Sequence, residues 1–381
     1  MKKQTVRPAA ILFLLLCMVA AGTILLPHGQ KQAAVSSHKS AKVPPSKQAN
    51  TPDGGHAALA LKRAEIDHYL SHAGFSGSAV VVSHGYVVLN KGYGYSNFLL
   101  RRPNRPETEY FIGSITKSVT GVAFMQMEER GLISFGTPVS RFYPAFPHGR
   151  SITMLDLLCH VSGLRSEPET FKRVTRDELV QRIADYNIRL LSPPGTHWAY
   201  MDANYALVAA ILDRISQNTY GETLHQFIQQ NIFNRAGLKQ AGFGNGIYQP
   251  ALASIGYGRF NEPVPVPSFS QLLGCGDVYM SAWDLYQFDR ALAAGMLVSD
   301  SSYHSIFTKH FSGVPYSLGW YTSRRDWGND IYSSHGVLGG WNGGNAFSFD
   351  RQNYVVLLAN SSQSLGIIGP ANQTIFKILK G

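Results

Sequence analysis

Ser114-Ile115-Thr116-Lys117, set behind Phe111-Ile112-Gly113, places a hydroxyl and an amine three residues apart. The pair sits where an apolar-periodic helix begins, with Ile115, Val119, Val122, Ala123 and Met127 on its inner side. Positions i and i+3 of a helix share a face, so Lys117 can reach the Ser114 oxygen. The positive end of the helix dipole disfavours a second positive charge, and a partly desolvated lysine there is expected to lose its proton more easily. A neutral lysine beside a serine makes an activated nucleophile. The same spacing recurs at Ser36-Ser37-His38-Lys39, in a polar tract without helical periodicity, so the pattern alone does not define a site.

Two downstream segments carry chemistry that could complete it. Tyr200 lies in Pro194-Gly195-Thr196-His197-Trp198-Ala199-Tyr200-Met201-Asp202, a turn just before the amphipathic run 204–216. A phenol held near a lysine can accept or pass on a proton. Ser333-Ser334-His335-Gly336-Val337-Leu338-Gly339-Gly340-Trp341 reads as a strand and the turn after it. Its glycines permit close approach of another backbone and leave main-chain N–H groups for an oxyanion.

These pieces must be held by both ends of the chain. Residues 57–73 read as an amphipathic helix. Ser78–Ser83 and Tyr86–Lys91 are β-rich runs joined by His84-Gly85, a hairpin signal. The middle, about 114 to 300, is mostly helical. Strand patterns return at Ser317–Thr322, Ile331–Ser334, Ala346–Phe349 and Tyr354–Leu358, and a last helix is expected over Gln373–Leu379. Strands at both ends around a helical middle imply one antiparallel sheet completed by the two termini.

In this order and at these distances the three segments resemble the serine hydrolases that include low-molecular-mass penicillin-binding proteins and class C β-lactamases. The resemblance covers about 59–381. It extends to Leu157-Leu158-Cys159-His160-Val161-Ser162-Gly163-Leu164, similar to the family's LLTHTSGL, and to Gly274-Cys275-Gly276-Asp277, similar to its GAGG segment. The chain looks most like the membrane-anchored penicillin-binding proteins of Gram-positive bacteria. The resemblance implies an α/β (α+β) chain with a β-lactamase/transpeptidase-like fold: an antiparallel sheet flanked by N- and C-terminal helices, plus a helical subdomain. It implies Ser114 as the acylated nucleophile, Lys117 as adjacent base or proton relay, and Tyr200 as the second-motif tyrosine. The N–H groups of Ser114 and Val337 would form the oxyanion hole. Tyr95-Ser96-Asn97 also spells the family's second motif, but it precedes the nucleophile and is read as strand and loop.

Two departures bear on the substrate. The second motif ends in Asp202 where the family has Asn. Counting back from Gly336, the third motif has Ser334 in the place of the family's basic residue, with His335 in the middle place. In the family that basic group helps hold a carboxylate. Asp202, Ser334, His335 and Gly336 are therefore the expected substrate contacts, with the pocket's preference turned from carboxylate towards ammonium. A D-alanyl ester on teichoic acid offers a carbonyl beside a free ammonium, which Asp202 could accept. Alternatively, Asp202 only pairs with Lys117. The expected substrate is a D-alanylated envelope polymer, either teichoic acid or a peptidoglycan stem peptide. A β-lactamase and a non-catalytic wall-polymer binder are the alternatives.

The remaining sequence sets the context. Lys2, Lys3 and Arg7 precede an apolar run from Ala9 to Leu26, which reads as an uncleaved signal-anchor over 1–27. Positive-inside then puts the rest outside the cell membrane. Residues 28–56 are a polar stem without periodicity, and 57–381 the hydrolase domain. Residues 1–56 carry seven Lys/Arg and one acid, a net +6 of the chain's +10, which suits lipid headgroups or an anionic wall polymer. No nucleic-acid signature, phosphate-binding loop or Gly-x-Ser-x-Gly elbow occurs, and His68 and His72 lack the further ligands of a metal site. No cofactor or metal is expected, and no oligomeric surface is evident. Cys159 and Cys275 could form one bridge, but buried free thiols are the expected state.

Overall fold

The computed structural model describes residues 53–244, 251–322 and 326–381. The expected anchor, most of the stem and the second Ser-x-x-Lys copy lie outside these residues. Among the described residues no helix is long and apolar enough to cross a membrane.

The strands are β1 Gly77–Ser83, β2 Tyr86–Tyr93, β3 Tyr95–Asn97, β4 Arg102–Pro103, β5 Glu109–Phe111, β6 Ala241–Phe243, β7 Val278–Ser281, β8 Tyr316–Ser317, β9 Trp320–Tyr321, β10 Ile331–Leu338, β11 Trp341–Ser348 and β12 Asn353–Ala359. Seven of them form one sheet in the order β2-β1-β12-β11-β10-β9-β8. Its pairings are antiparallel, and β1 lies beside β12 with Val80 opposite Val356. The two ends of the chain thus share one sheet, as the sequence pattern implied. The β1–β2 turn holds His84 at φ +50° and Gly85 at φ +82°, the left-handed pair that a two-residue hairpin needs.

Both faces of this sheet are covered, which is why β1 and β12 are buried along their whole length. One face packs on the terminal helices, α1 (Asp53–His72) and α7 (Leu365–Lys380), through Val81, Val355, Leu357, Ile66, Leu70 and Ile375. The other carries Val80, Val82, Val356 and Leu358 against the helical middle. That middle is built on α2 (Thr116–Glu129), α3 (Met154–Leu158), α4 (Arg176–Tyr186), α5 (Asp202–Tyr220) and α6 (Ala282–Ala293).

Several boundaries differ from the sequence pattern. Helix α1 begins at Asp53, four residues earlier than its pattern suggested. Helix α7 begins at Leu365 and runs through Pro370, which forfeits one N–H without ending the helix. The expected strand Ser317–Thr322 is two short strands broken at Leu318-Gly319. A Cβ on Gly319 would lie 2.4 Å from Ser118 Cα, so this tight turn presses into the start of α2. Strand β10 continues past Ser334 to Leu338.

Candidate active site

Ser114 sits in a short 3-10 turn, Gly113–Ile115, between β5 and α2. The turn lies directly against β10. A Cβ on Gly336 would come 1.9 Å from Ile112 O and 2.9 Å from Ser114 N, and one on Gly113 would come 2.8 Å from Val337 N. Only hydrogen fits at either position. The two glycines thereby bring the main chain at Ser114 beside that at Val337, the pair expected to hold an oxyanion.

Lys117 is fully buried one turn along. Its Nζ donates to Ser114 Oγ at 2.9 Å, to Asp202 Oδ1 at 2.6 Å and to the Cys275 carbonyl at 2.9 Å. All three ammonium protons are thus engaged. Burial pulls the lysine's pKa down, but the Asp202 carboxylate, helped by Tyr200 and Cys275, outweighs it and holds the group above the ordinary lysine range. The sequence reading expects an easily deprotonated lysine; the Asp202 carboxylate at 2.6 Å instead favours its charged form. Asp202 is the first residue of α5, where the helix dipole favours a negative charge. Its side chain is 51% exposed, against 0% for Lys117, so the carboxylate meets the lysine on one side and solvent on the other.

Tyr200 is half-buried, with its ring 5.0 Å from Lys117 Nζ. His160 lies beneath it, with ring centroids 4.2 Å apart and planes at 29°. Burial first, then the Lys117 charge, pushes the His160 pKa well below the usual range, so the ring is neutral. Its Nδ1 accepts from Met201 N at 3.3 Å and lies 3.1 Å from Asn204 Nδ2, which ties the second-motif turn to the segment 157–164. Tyr316 meets Tyr200 edge-on at 5.7 Å.

Along β10 the side chains alternate. Gly336 faces the nucleophile turn, and Ser334, two residues away on the same face, is buried. The His335 ring lies against Trp327, with centroids 5.4 Å apart, and Trp327 packs on Gly344 and on Gly369 of α7. Alternation therefore turns His335 away from Ser114, unlike the substrate contact expected of it. The Val337 side chain, on the His335 face, is exposed.

Three participants carry no legible motif of their own. The Cys275 carbonyl takes the third lysine proton, and no side-chain pattern reports a carbonyl. His160 was visible within the resemblance, but its place under Tyr200 was not. Glu167 is half-buried near Asp202, and burial raises its carboxyl pKa against the opposing charge of Arg182, with a smaller push from Asp202. Ser166 beside it fixes this position, its Oγ accepting from Ala203 N at 3.3 Å.

The beta-lactamase family model matches residues 63–379. The chain belongs to the beta-lactamase family. It is a serine hydrolase of that family, with the family's antiparallel sheet and helical middle. The protein named as penicillin-binding protein PbpX of Bacillus subtilis (strain 168), an assignment its own name marks as unproven, is 37% identical over 84% of this chain and 78% of its own length. A teichoic acid D-alanine hydrolase of Staphylococcus aureus (strain MRSA252) is 29% identical over 59% of this chain. The match spans 56% of that relative, just over half its length. Among solved structures, FmtA from Staphylococcus aureus superposes with a TM-score of 0.73 and 24% identity, over 84% of this chain and 89% of that one, a likeness of fold. Within the beta-lactamase family frame, Cys159 and Cys275 are both free and buried, as expected.

Proposed function

We propose that the protein hydrolyses D-alanyl esters of an envelope polymer, teichoic acid above all, through an acyl-enzyme on Ser114. The observation that carries this reading is Asp202. It lies 2.6 Å from Lys117 with half its side chain open to solvent, in a site whose third motif offers uncharged Ser334. The exposed half of Asp202 presents a carboxylate acceptor on this side of the site. It suits a substrate ammonium and opposes the carboxylate of a D-Ala-D-Ala peptide or a β-lactam. The similarity to a teichoic acid D-alanine hydrolase supports the same substrate class.

In this mechanism Ser114 Oγ attacks the D-alanyl carbonyl carbon while the N–H groups of Ser114 and Val337 hold the oxyanion. The serine proton passes to Tyr200 as Tyr200 gives its own proton to the leaving alcohol, and the ester C–O bond breaks. Lys117 acts as an ammonium that steadies the charge developing on Ser114 Oγ. Water then attacks the acyl-serine, its proton returns by the same route, and D-alanine is released. The basic start and apolar run of the chain support a membrane-anchored protein, with residues 1–27 as anchor, 28–56 as stem and the hydrolase domain outside the cell.

The test is D-alanine release, wild type against Ser114→Ala. D-alanylated lipoteichoic acid and a muropeptide ending in D-Ala-D-Ala are offered side by side. Ser114-dependent release from the teichoic acid alone is expected. Release from the muropeptide alone would make the protein a carboxypeptidase and reduce Asp202 to a partner of Lys117.

A further inference from the structure

Two neighbouring turns carry large apolar side chains that no other described residue covers. Leu99 and Leu100, at the tip of the β3–β4 hairpin, are 91% and 69% exposed, and Phe260 is 85% exposed. The turns are braced together. Phe98 N–H donates to Tyr257 Oη at 3.0 Å, and their rings meet edge-on with centroids 4.8 Å apart. Ile255 N–H donates to Ser96 O at 2.9 Å. Each turn also holds a non-glycine residue in the left-handed region, Arg101 at φ +46° and Asn261 at φ +62°. The tips are therefore held outward by a specific backbone shape rather than left loose.

The charge around them has one sign in excess. Arg101 and Arg259 stand exposed in these turns, against the acid Glu262. The Glu262 carboxylate is turned back on its own turn, accepting from Phe260 N–H at 2.8 Å. A flat protein partner would meet projecting points here rather than a face. Separate apolar tips, each with an exposed arginine next to it in the chain, fit a lipid surface, with the tips at the headgroup–acyl boundary and the arginines on phosphates.

We propose that this edge of the domain docks on an anionic lipid bilayer. The contact is distinct from any N-terminal anchor and independent of the substrate reading. It has a consequence for the cleft. The segment after Phe260 runs back along the site, with Val264 N–H donating to Gly256 O at 3.0 Å. Val264 and Val266 lie against Gly339, in the turn that follows Val337. Docking through Leu99, Leu100 and Phe260 would therefore put on the membrane a segment that touches the turn after Val337.

Among the described residues the buried side chains of both hydrophobic clusters lie between Ile66 and Leu379, so the segment 53–381 contains a core of its own and serves for the test. It is co-sedimented with vesicles of phosphatidylcholine alone and of phosphatidylcholine mixed with phosphatidylglycerol. The expected result is binding to the mixed vesicles only, weakened by salt. Leu99→Ser with Leu100→Ser and Phe260→Ser should lower that binding about tenfold or more. Arg101→Glu with Arg259→Glu should do the same. Turnover of a small soluble ester and the melting temperature should not change in either variant. The proposal falls if wild type ignores the mixed vesicles or if the apolar variant binds them equally well. It falls too if the same substitutions abolish a concentration-dependent dimer without vesicle binding. Binding of soluble polyglycerol phosphate that is indifferent to the apolar residues would make this a polyanion site and overturn the lipid assignment.

Discussion

The two walls of the cleft are built on different principles. The helical wall works by charge: a buried ammonium, Lys117, spans Ser114, a half-exposed carboxylate and a carbonyl. The strand wall works by contact of main chain with main chain, where Gly336 and Gly113 let β10 touch the nucleophile turn. The first wall can be retuned by exchanging side chains. The second admits no side chain at its closest points. On the proposed reading, preference for a substrate's charge belongs to the helical wall, and the geometry of carbonyl attack to the strand wall.

Breaking the strand wall should cost most. Gly336→Ala would drive a methyl into Ile112 O and part Val337 from Ser114. A displacement of this size is expected to lower kcat about 100-fold, by the same factor for cationic and neutral esters. A loss confined to one ester class would show that the strand wall also selects charge.

Asp202→Asn should break the helical wall selectively. Turnover of a D-alanyl ester should fall about 10- to 100-fold, the worth of a hydrogen bond to a charged group, and a matched neutral ester should lose much less. Measured kcat/KM for the two esters decides it, and equal losses would leave Asp202 as a partner of Lys117 alone.

A smaller effect is expected one layer back. His160→Gln removes the neutral ring beneath Tyr200 and should lower kcat about fivefold, with KM little changed. An unchanged kcat would mean that Tyr200 does not rely on that support.

The smallest effect concerns the loop that offers the Cys275 carbonyl. His225 Nε2 lies 2.7 Å from Asp277 Oδ2, and Asp277 Oδ1 accepts from Gly274 N at 3.0 Å. Burial pulls the His225 pKa down, but Asp277, with Asp213, outweighs it and raises the value above the ordinary histidine range. A raised value means stability that is complete below the ordinary pKa of about 6.5 and is lost as pH rises through the folded value. The melting temperatures of wild type and His225→Gln should therefore differ at acid pH and converge at alkaline pH. Parallel curves would remove the pair from the stability of this loop.

The local parts of the site were legible in the sequence because each rests on a local signal. Ser114 and Lys117 announce themselves by helical spacing, Tyr200 by the turn before an amphipathic run, and Gly336 by a glycine-bearing strand. What the sequence withheld depends on register and on distant partners. Whether His335 faces Ser114 is a matter of strand parity, which one residue of slip would reverse. The charge balance at Lys117 depends on a carboxylate far along the chain, which helix-end reasoning alone leaves out. Pro370 hid the first turns of α7, because proline ordinarily marks a helix boundary.

The burial of both domain thiols has a practical side. Burial, then the Asp156 charge, pushes the Cys159 thiol up to about 12, and burial holds Cys275 well above its usual range too. The thiolate is the species that alkylates, so the folded domain should be almost silent to maleimide. Each thiol becomes reactive only when its surroundings open. Cys275, whose carbonyl holds Lys117, is thus a built-in clock for opening of the catalytic loop. Read peptide by peptide against Cys159, its labelling rate would separate loss of the site from loss of the fold.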